Sequence, residues 1–167
     1  MITIQILSIK NFMNHILNQT TFDSFLLEQA SIKTFNTFLI DGHIQKCFYS
    51  HEEQTDYNLC PYPFSQWKDL KKICFDLLKG KRLPISFKIV LHLLPETMHK
   101  LLSDQQLPYD ISLISAFVLN IHYENNRLLI TTGIGYQSFV MDKQADCVWD
   151  NYFLEFLKKY EIEYEKI

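Results

Sequence analysis

Glycine and proline are scarce, at 4 and 5 of 167 residues. A loop-rich scaffold needs more of both, so most of the chain is available for regular elements. No apolar run nears the roughly 20 residues of a membrane-spanning helix, and no membrane partner is expected. The start, Met1-Ile2-Thr3-Ile4-Gln5, alternates like a strand and lacks the charged segment and apolar core of a signal peptide. Excess charge of either sign is missing as well. A net charge of -3 excludes a strong global field for nucleic acid and leaves any such contact to a local patch. Cysteine is limited to Cys47, Cys60, Cys74 and Cys147. In a chain expected to be cytoplasmic these are reduced thiols, not a disulfide frame. What is present is apolar: 47% of the chain is hydrophobic, with 13 Phe, which excludes a disordered chain and suffices for the core of one domain over 1–167.

The clearest pattern lies in Ile85–Met141. Ile85, Phe87, Ile89, Leu91 and Leu93 alternate with Ser86, Lys88, Val90 and His92. Period two predicts a strand with one buried face. Pro95 suits the first turn of a helix whose stripe is Met98, Leu101 and Leu102. A hairpin follows, Phe117–Tyr123 against Leu128–Thr132, turning at Asn125-Asn126. Gly133 and Gly135 are read as a corner leading to a third strand, Tyr136–Met141. Asp142 can cap a long final helix striped by Ala145, Val148, Trp149, Tyr152, Phe153, Phe156, Leu157 and Tyr160. The acidic end, Glu161–Glu165, is expected to fray.

The N-terminal half reads in a similar order. Ile2, Ile4 and Ile6 predict a strand, and Ser8 can cap a helix over Ile9–Asn18. The change of parity near Glu28-Gln29 predicts a bulge or turn. Asp41-Gly42 is the strongest short hairpin signal, with Ile44, Lys46 and Phe48 returning. Residues 50–64 read as an irregular connection. Ser65–Lys79 reads as a helix with an apolar face of Trp67, Leu70, Ile73, Cys74, Leu77 and Leu78. First strands, helices and hairpin turns recur at an offset of about 84 residues, the signature of an internal repeat. The expected fold is α+β, a duplicated β-α-β-β-β unit with halves 1–80 and 81–167 and a long C-terminal helix. Chance matches between unrelated elements are the plainer alternative.

Three segments, Ala30–Phe38, Lys79-Gly80-Lys81-Arg82-Leu83-Pro84 with the strand behind it, and Thr131-Thr132-Gly133, resemble an uncharacterised bacterial family of unknown function. That resemblance implies no activity. The stretch Asn126–Gly133 followed by Tyr136-Gln137-Ser138-Phe139 is similar in topology to a hairpin of the DNA sliding clamps, whose domains are duplicated β-α-β-β-β units. The chain departs from a clamp in having one such domain, in its long helices after each half, and in a first helix offering only Lys10 and His15 as basic groups.

The best candidate site is the cluster Lys68, Lys71, Lys72, Lys79, Lys81 and Arg82, with Phe75 beside it. Lysines on one helix face can neutralise phosphates, and an aromatic ring can stack on a base or pack on a partner. The plainer reading is a solvated face, with Asp69 and Asp76 among the lysines. His43, Cys47, His51 and Cys60 are a candidate zinc set by residue type, but their spacing matches no zinc motif and isolated residues are the plainer reading. His15, His92, His99 and His122 sit within regular elements without a recognisable nucleophile, and no glycine-rich phosphate loop is present. No catalytic residue and no cofactor is expected. The expectation is a non-enzymatic cytoplasmic binding or scaffold protein whose partner is a protein or a nucleic-acid backbone. A small-ligand protein or enzyme with a pocket between sheet and helices is the alternative.

Overall fold

The computed structural model of the protein describes residues 1–55, 61–105 and 110–167. In chain order the elements are β1 (Thr3–Ile6), α1 (Ile9–Leu17), β2 (Leu26–Lys33), β3 (Thr37–Asp41), α2 (His51–Gln54), α3 (Trp67–Leu78), β4 (Ser86–His92), α4 (Pro95–Ser103), β5 (Ile114–Glu124), β6 (Arg127–Tyr136), α5 (Gln144–Lys159) and β7 (Tyr164–Lys166). The strands form one antiparallel sheet in the order β3-β2-β4-β5-β6-β1-β7. The fold is α+β, as expected.

Alternation along the strands produces two layers. Ile4, Ile32, Phe87, Ile89, Leu119, Ile121, Leu128 and Ile130 are buried on one face of the sheet. They share a core with Phe12 and Ile16 of α1, Trp67 and Cys74 of α3, Met98 and Leu102 of α4, and Trp149, Phe153 and Leu157 of α5. Each such side chain contributes about 1.5–3 kcal/mol by leaving water. Both tryptophans bury a polar atom with a partner: Trp67 Nε1 donates to Ile16 O at 2.7 Å and Trp149 Nε1 to Val118 O at 3.1 Å. The other face is open over much of its width, although Leu26 and Val90 on it are buried. Register aligns Leu39, Ser31, Lys88, His122, Leu129 and Gln5 in one row across it, and none of the six is buried.

Several expectations stand. Glu28 is the extra residue of a bulge between Leu27 and Gln29. The β5–β6 hairpin turns at Asn125 and Asn126, whose φ of 51° and 59° suit the left-handed pair that a two-residue hairpin needs. Pro95 is the first residue of α4. Others are corrected. Asp41-Gly42 is not a hairpin turn: β2 and β3 reverse at 34–36, where Thr34 N donates to Asn36 O at 2.9 Å. Gly42 serves a close backbone approach instead, since a Cβ there would lie 1.7 Å from Leu27 O. Lys46–Phe48 is a short 3-10 turn, not a returning strand, and Phe48 is exposed. Residues 51–54, read as irregular, form α2 behind a capping box of Ser50 and Glu53. Ile73 faces solvent, because it lies well away from the Trp67–Cys74 line that packs inward. Ser8 makes no side-chain cap bond, and α5 starts two residues after Asp142, whose carboxylate accepts from Gln144 N at 2.8 Å.

The third strand expected at Tyr136–Met141 is absent: β6 runs unbroken through Gly133 and Gly135, and Phe139 and Met141 are exposed. The end does not fray, because β7 pairs Lys166 with Ile4 and Tyr164 with Ile6. Each half therefore reads β-α-β-β with helix to follow, and the halves pair differently. β4 lies beside β5, the strand after its helix, whereas β1 lies between β6 and β7. The duplicated clamp-like unit is not confirmed by these pairings.

Candidate functional site

The predicted cationic cluster is only partly assembled. Lys71 does not project into solvent. It sits on the side of α3 nearest α1, where Nζ donates to Asp23 Oδ1 at 2.5 Å and to Gln19 O at 2.9 Å. Its charge is thus already matched, and it ties α3 to the segment after α1. Lys79 pairs with Asp76 at 2.5 Å and lies over the Phe75 ring, 5.8 Å from its centroid. The hydrogen bond from Lys79 holds the Asp76 carboxyl below the usual range. Lys68 and Lys72 are exposed on the outer face of α3, interleaved with exposed Asp69 and Asp76. Lys81 and Arg82 are exposed just after the helix, and among the described residues no ion pair engages them.

Phe75 is half-buried and turned toward α1, not outward with the lysines. There it helps to line a groove of about 600 Å³ between α1 and α3, together with Met13, Leu17, Leu78, Leu83 and Tyr123. A second groove of about 520 Å³ continues from it through the shared Leu78, Lys79 and Leu83 to Thr34, Phe35, Lys81, Arg82 and Ile85. Phe35, Leu83 and Ile85 are 86%, 75% and 57% exposed. Thr34 Oγ1 is buried, with no hydrogen-bond partner among the described residues. On the sheet side the first groove is lined by Phe87 and Tyr123, which are paired across β4 and β5. Sequence reading found the cations and missed the groove. Phe35 and the neighbouring Leu83 and Ile85 come from segments far apart in sequence, and the pairing of β2 with β4, with Ile85 N donating to Lys33 O at 2.8 Å, brings them together.

Of the candidate zinc set, His43, Cys47 and His51 are not gathered into a group that could hold a metal ion among the described residues. His43 Nδ1 pairs with Asp41 Oδ1 at 2.6 Å and its ring lies 4.5 Å from that of Phe64. Cys47 is exposed in the turn after it, and His51 is exposed at the start of α2. Cys60 lies outside the described residues. Among those residues no group of three His, Cys, Asp or Glu could hold a metal ion. A second histidine–carboxylate pair was not anticipated. His92 Nε2 and Glu28 Oε2 are 2.6 Å apart, and the His92 ring centroid lies 4.9 Å from that of Phe64. These two pairs hold the segment around Phe64 to the end of β2 and β4. No nucleophile joins them in any contact recorded among the described residues. His15 is buried, with Nδ1 2.9 Å from Thr21 Oγ1, while His99 and His122 are exposed.

Residues 15–165 match the model of a family of unknown function (DUF5721), and the chain belongs to that family. No curated protein and no solved structure matches the chain. The clamp resemblance therefore has no structural neighbour behind it.

Proposed function

We propose that this member of the family is a non-enzymatic binding protein, and that the groove between α1 and α3 takes an apolar segment of another protein. Lys81 and Arg82, which no ion pair engages among the described residues, would meet acidic residues flanking that segment. The observation that carries this reading is the continuity of an apolar groove with the exposed Phe35, Leu83 and Ile85 beneath a cationic rim. Contiguous apolar surface rimmed by polar residues is how protein interaction sites differ from ordinary surface. Apolar anchors in a groove are also a recurring way of holding a peptide.

A nucleic-acid backbone is the weaker partner. Lys71 is occupied by Asp23, and Asp69 and Asp76 stand among the remaining lysines of α3. Few cations are left to displace counterions from phosphates, which is the term such binding depends on. A small apolar ligand is the second reading, because the groove falls within the range of about 300–1,000 Å³ usual for ligand sites. The enzyme version gains nothing from the groove, whose described lining includes no His and no carboxylate. We place the protein in the cytoplasm. Cys47, Cys74 and Cys147 are free thiols, and burial pushes the Cys74 thiol up to about 12, so it packs as a neutral group. No helix among the described residues is long and apolar enough to cross a membrane.

The test is photo-crosslinking in the native cell, with a photoreactive residue at Leu83 and, as control, at Glu155 on the exposed side of α5. The Leu83 probe should capture a discrete protein that the Glu155 probe does not. Capture should fall about tenfold when Lys81→Glu and Arg82→Glu are combined, as opposite charges become like charges. Equal capture at both positions, or none at Leu83, sinks the reading. Salt-sensitive oligonucleotide binding that the same double variant abolishes would move the assignment to nucleic acid.

A further inference from the structure

Among the described residues the outer side of β3 is open. It is the end strand of the sheet, and among the described residues no backbone group bonds to its outer side. The register identifies which of its groups face outward. β2 and β3 pair Lys33 with Thr37, Ile32 with Phe38, Ser31 with Leu39, Ala30 with Ile40, and Gln29 with Asp41. At one end of this ladder Thr34 N donates to Asn36 O at 2.9 Å, and at the other Gly42 N donates to Glu28 O at 2.8 Å. Bonded and non-bonded pairs alternate along an antiparallel ladder. Stepping inward from either end gives the same result: the bonded pairs are Ile32–Phe38 and Ala30–Ile40. The backbone N–H and C=O groups of Thr37, Leu39 and Asp41 therefore point away from the sheet.

Exposed edges are ordinarily guarded by lysine, proline, a bulge or a covering segment. β3 reads Thr37-Phe38-Leu39-Ile40-Asp41, with no lysine or proline and no break in its register. Its Leu39 is 78% exposed. The opposite edge, β7, is only 3 residues long and carries Glu165 and Lys166.

We propose that β3 pairs with β3 of a second copy of this chain, antiparallel about a two-fold axis at Leu39. The strand reads polar-apolar-apolar-apolar-polar in both directions, so self-pairing matches residue class at every position. Leu39 meets Leu39, Phe38 meets Ile40, and Thr37 meets Asp41 of the other copy. The outward groups fall into bonded pairs, each exchanging both N–H···O bonds. No like charges are opposed, and the Thr37 hydroxyl is placed to donate to the Asp41 carboxylate across the axis. A foreign strand would have to supply this pattern by coincidence; a second copy supplies it by symmetry. An edge of this length gives an interface at the small end, below about 1,200 Å², so the dimer dissociates readily on dilution.

Sedimentation velocity of the full chain from low to high micromolar concentration should show a monomer–dimer equilibrium. At the dimeric end, amide exchange at Thr37, Leu39 and Asp41 should slow while Phe38 and Ile40 hardly change. Leu39→Lys sets two ammonium groups face to face and should weaken the dimer about tenfold or more. Mixing Leu39→Lys with Leu39→Glu should restore it as a mixed dimer. Thermal unfolding of each variant alone checks that the exposed substitutions leave the monomer folded. A monomer at every concentration, a dimer indifferent to Leu39→Lys, or exchange protection at Phe38 and Ile40 instead would each overturn the proposal. None of these outcomes depends on the α1–α3 groove, so the two sites succeed or fail separately.

Discussion

Lys71 and Lys72 are neighbours in sequence with opposite fates. A helix advances about 100° per residue, which leaves Lys72 on the outer face and swings Lys71 to the side that meets Asp23 and Gln19 O. The side chains of Lys71 and Asp23 are 17% and 22% exposed, so their pair is screened less than a surface pair. Replacing Lys71 by Ala strands a half-buried carboxylate and should cost about 1–2 kcal/mol, whereas Lys72→Ala should stay within about 0.5 kcal/mol. Urea unfolding of the two variants side by side measures the difference. Equal midpoints would mean that the Lys71 pair adds nothing to the fold.

Among the elements, the β2–β3 pair shows how a local signal is overruled. Asp-Gly is a good hairpin turn, but Gly42 is needed where the bulge at Glu28 brings two backbones together. Gly42 N donates to Glu28 O, and the chain runs on from there to pair His43 with Phe64. Gly42→Ala would drive a Cβ into the Leu27 carbonyl and should destabilise by about 3 kcal/mol or more, through backbone displacement. Gly133→Ala is the control, because its nearest neighbour would be Asn120 Nδ2 at 4.0 Å. That change should be neutral or slightly stabilising, within about 1 kcal/mol. Thermal or denaturant unfolding of both variants decides it; a mild Gly42→Ala would show that the strands can separate at the bulge.

For the whole molecule, three exposed carboxylates with lowered pKa are expected to contribute to the acid limb of stability. The backbone N–H of His43 and then its ring lower Asp41, the Lys79 hydrogen bond lowers Asp76, and the backbone N–H of Ser112 lowers Asp110. Each folded-state value lies below the unfolded one, so the unfolded chain binds protons first as the pH drops. The stability these groups supply is complete above the ordinary carboxylate pKa of about 4 and is lost as pH falls through their folded values. Denaturant midpoints should be flat from about pH 7 to 5 with respect to these groups and decline below about pH 4. Replacing all three by Asn should flatten that decline; an unchanged acid limb would assign it to other groups.

What the sequence determined alone is what depends on periodicity and on short-range backbone chemistry. Period-two alternation marked β4 and β5, the Asn125-Asn126 pair marked their neighbour's hairpin, the parity change marked the Glu28 bulge, and the aromatic stripe marked α5. Each of these signals is complete within a few turns or pairs of residues. The capping box at Ser50–Glu53 is legible by the same logic, although a helix of 4 residues shows no periodicity. Strand order, the pairing of the last residues with β1, and the fate of Lys71 were not legible. They depend on partners far away in the chain: Asp23 for Lys71, Ile4 for Lys166, and the Leu27 carbonyl for Gly42. The lysine cluster could be read as a list of charges, but the groove it borders exists only after α1 and α3 are packed beside Phe87 and Tyr123 of the paired β4 and β5. Local physics specified the elements. Which edges and grooves remained open was decided by how the chain, once folded, used up its own surfaces.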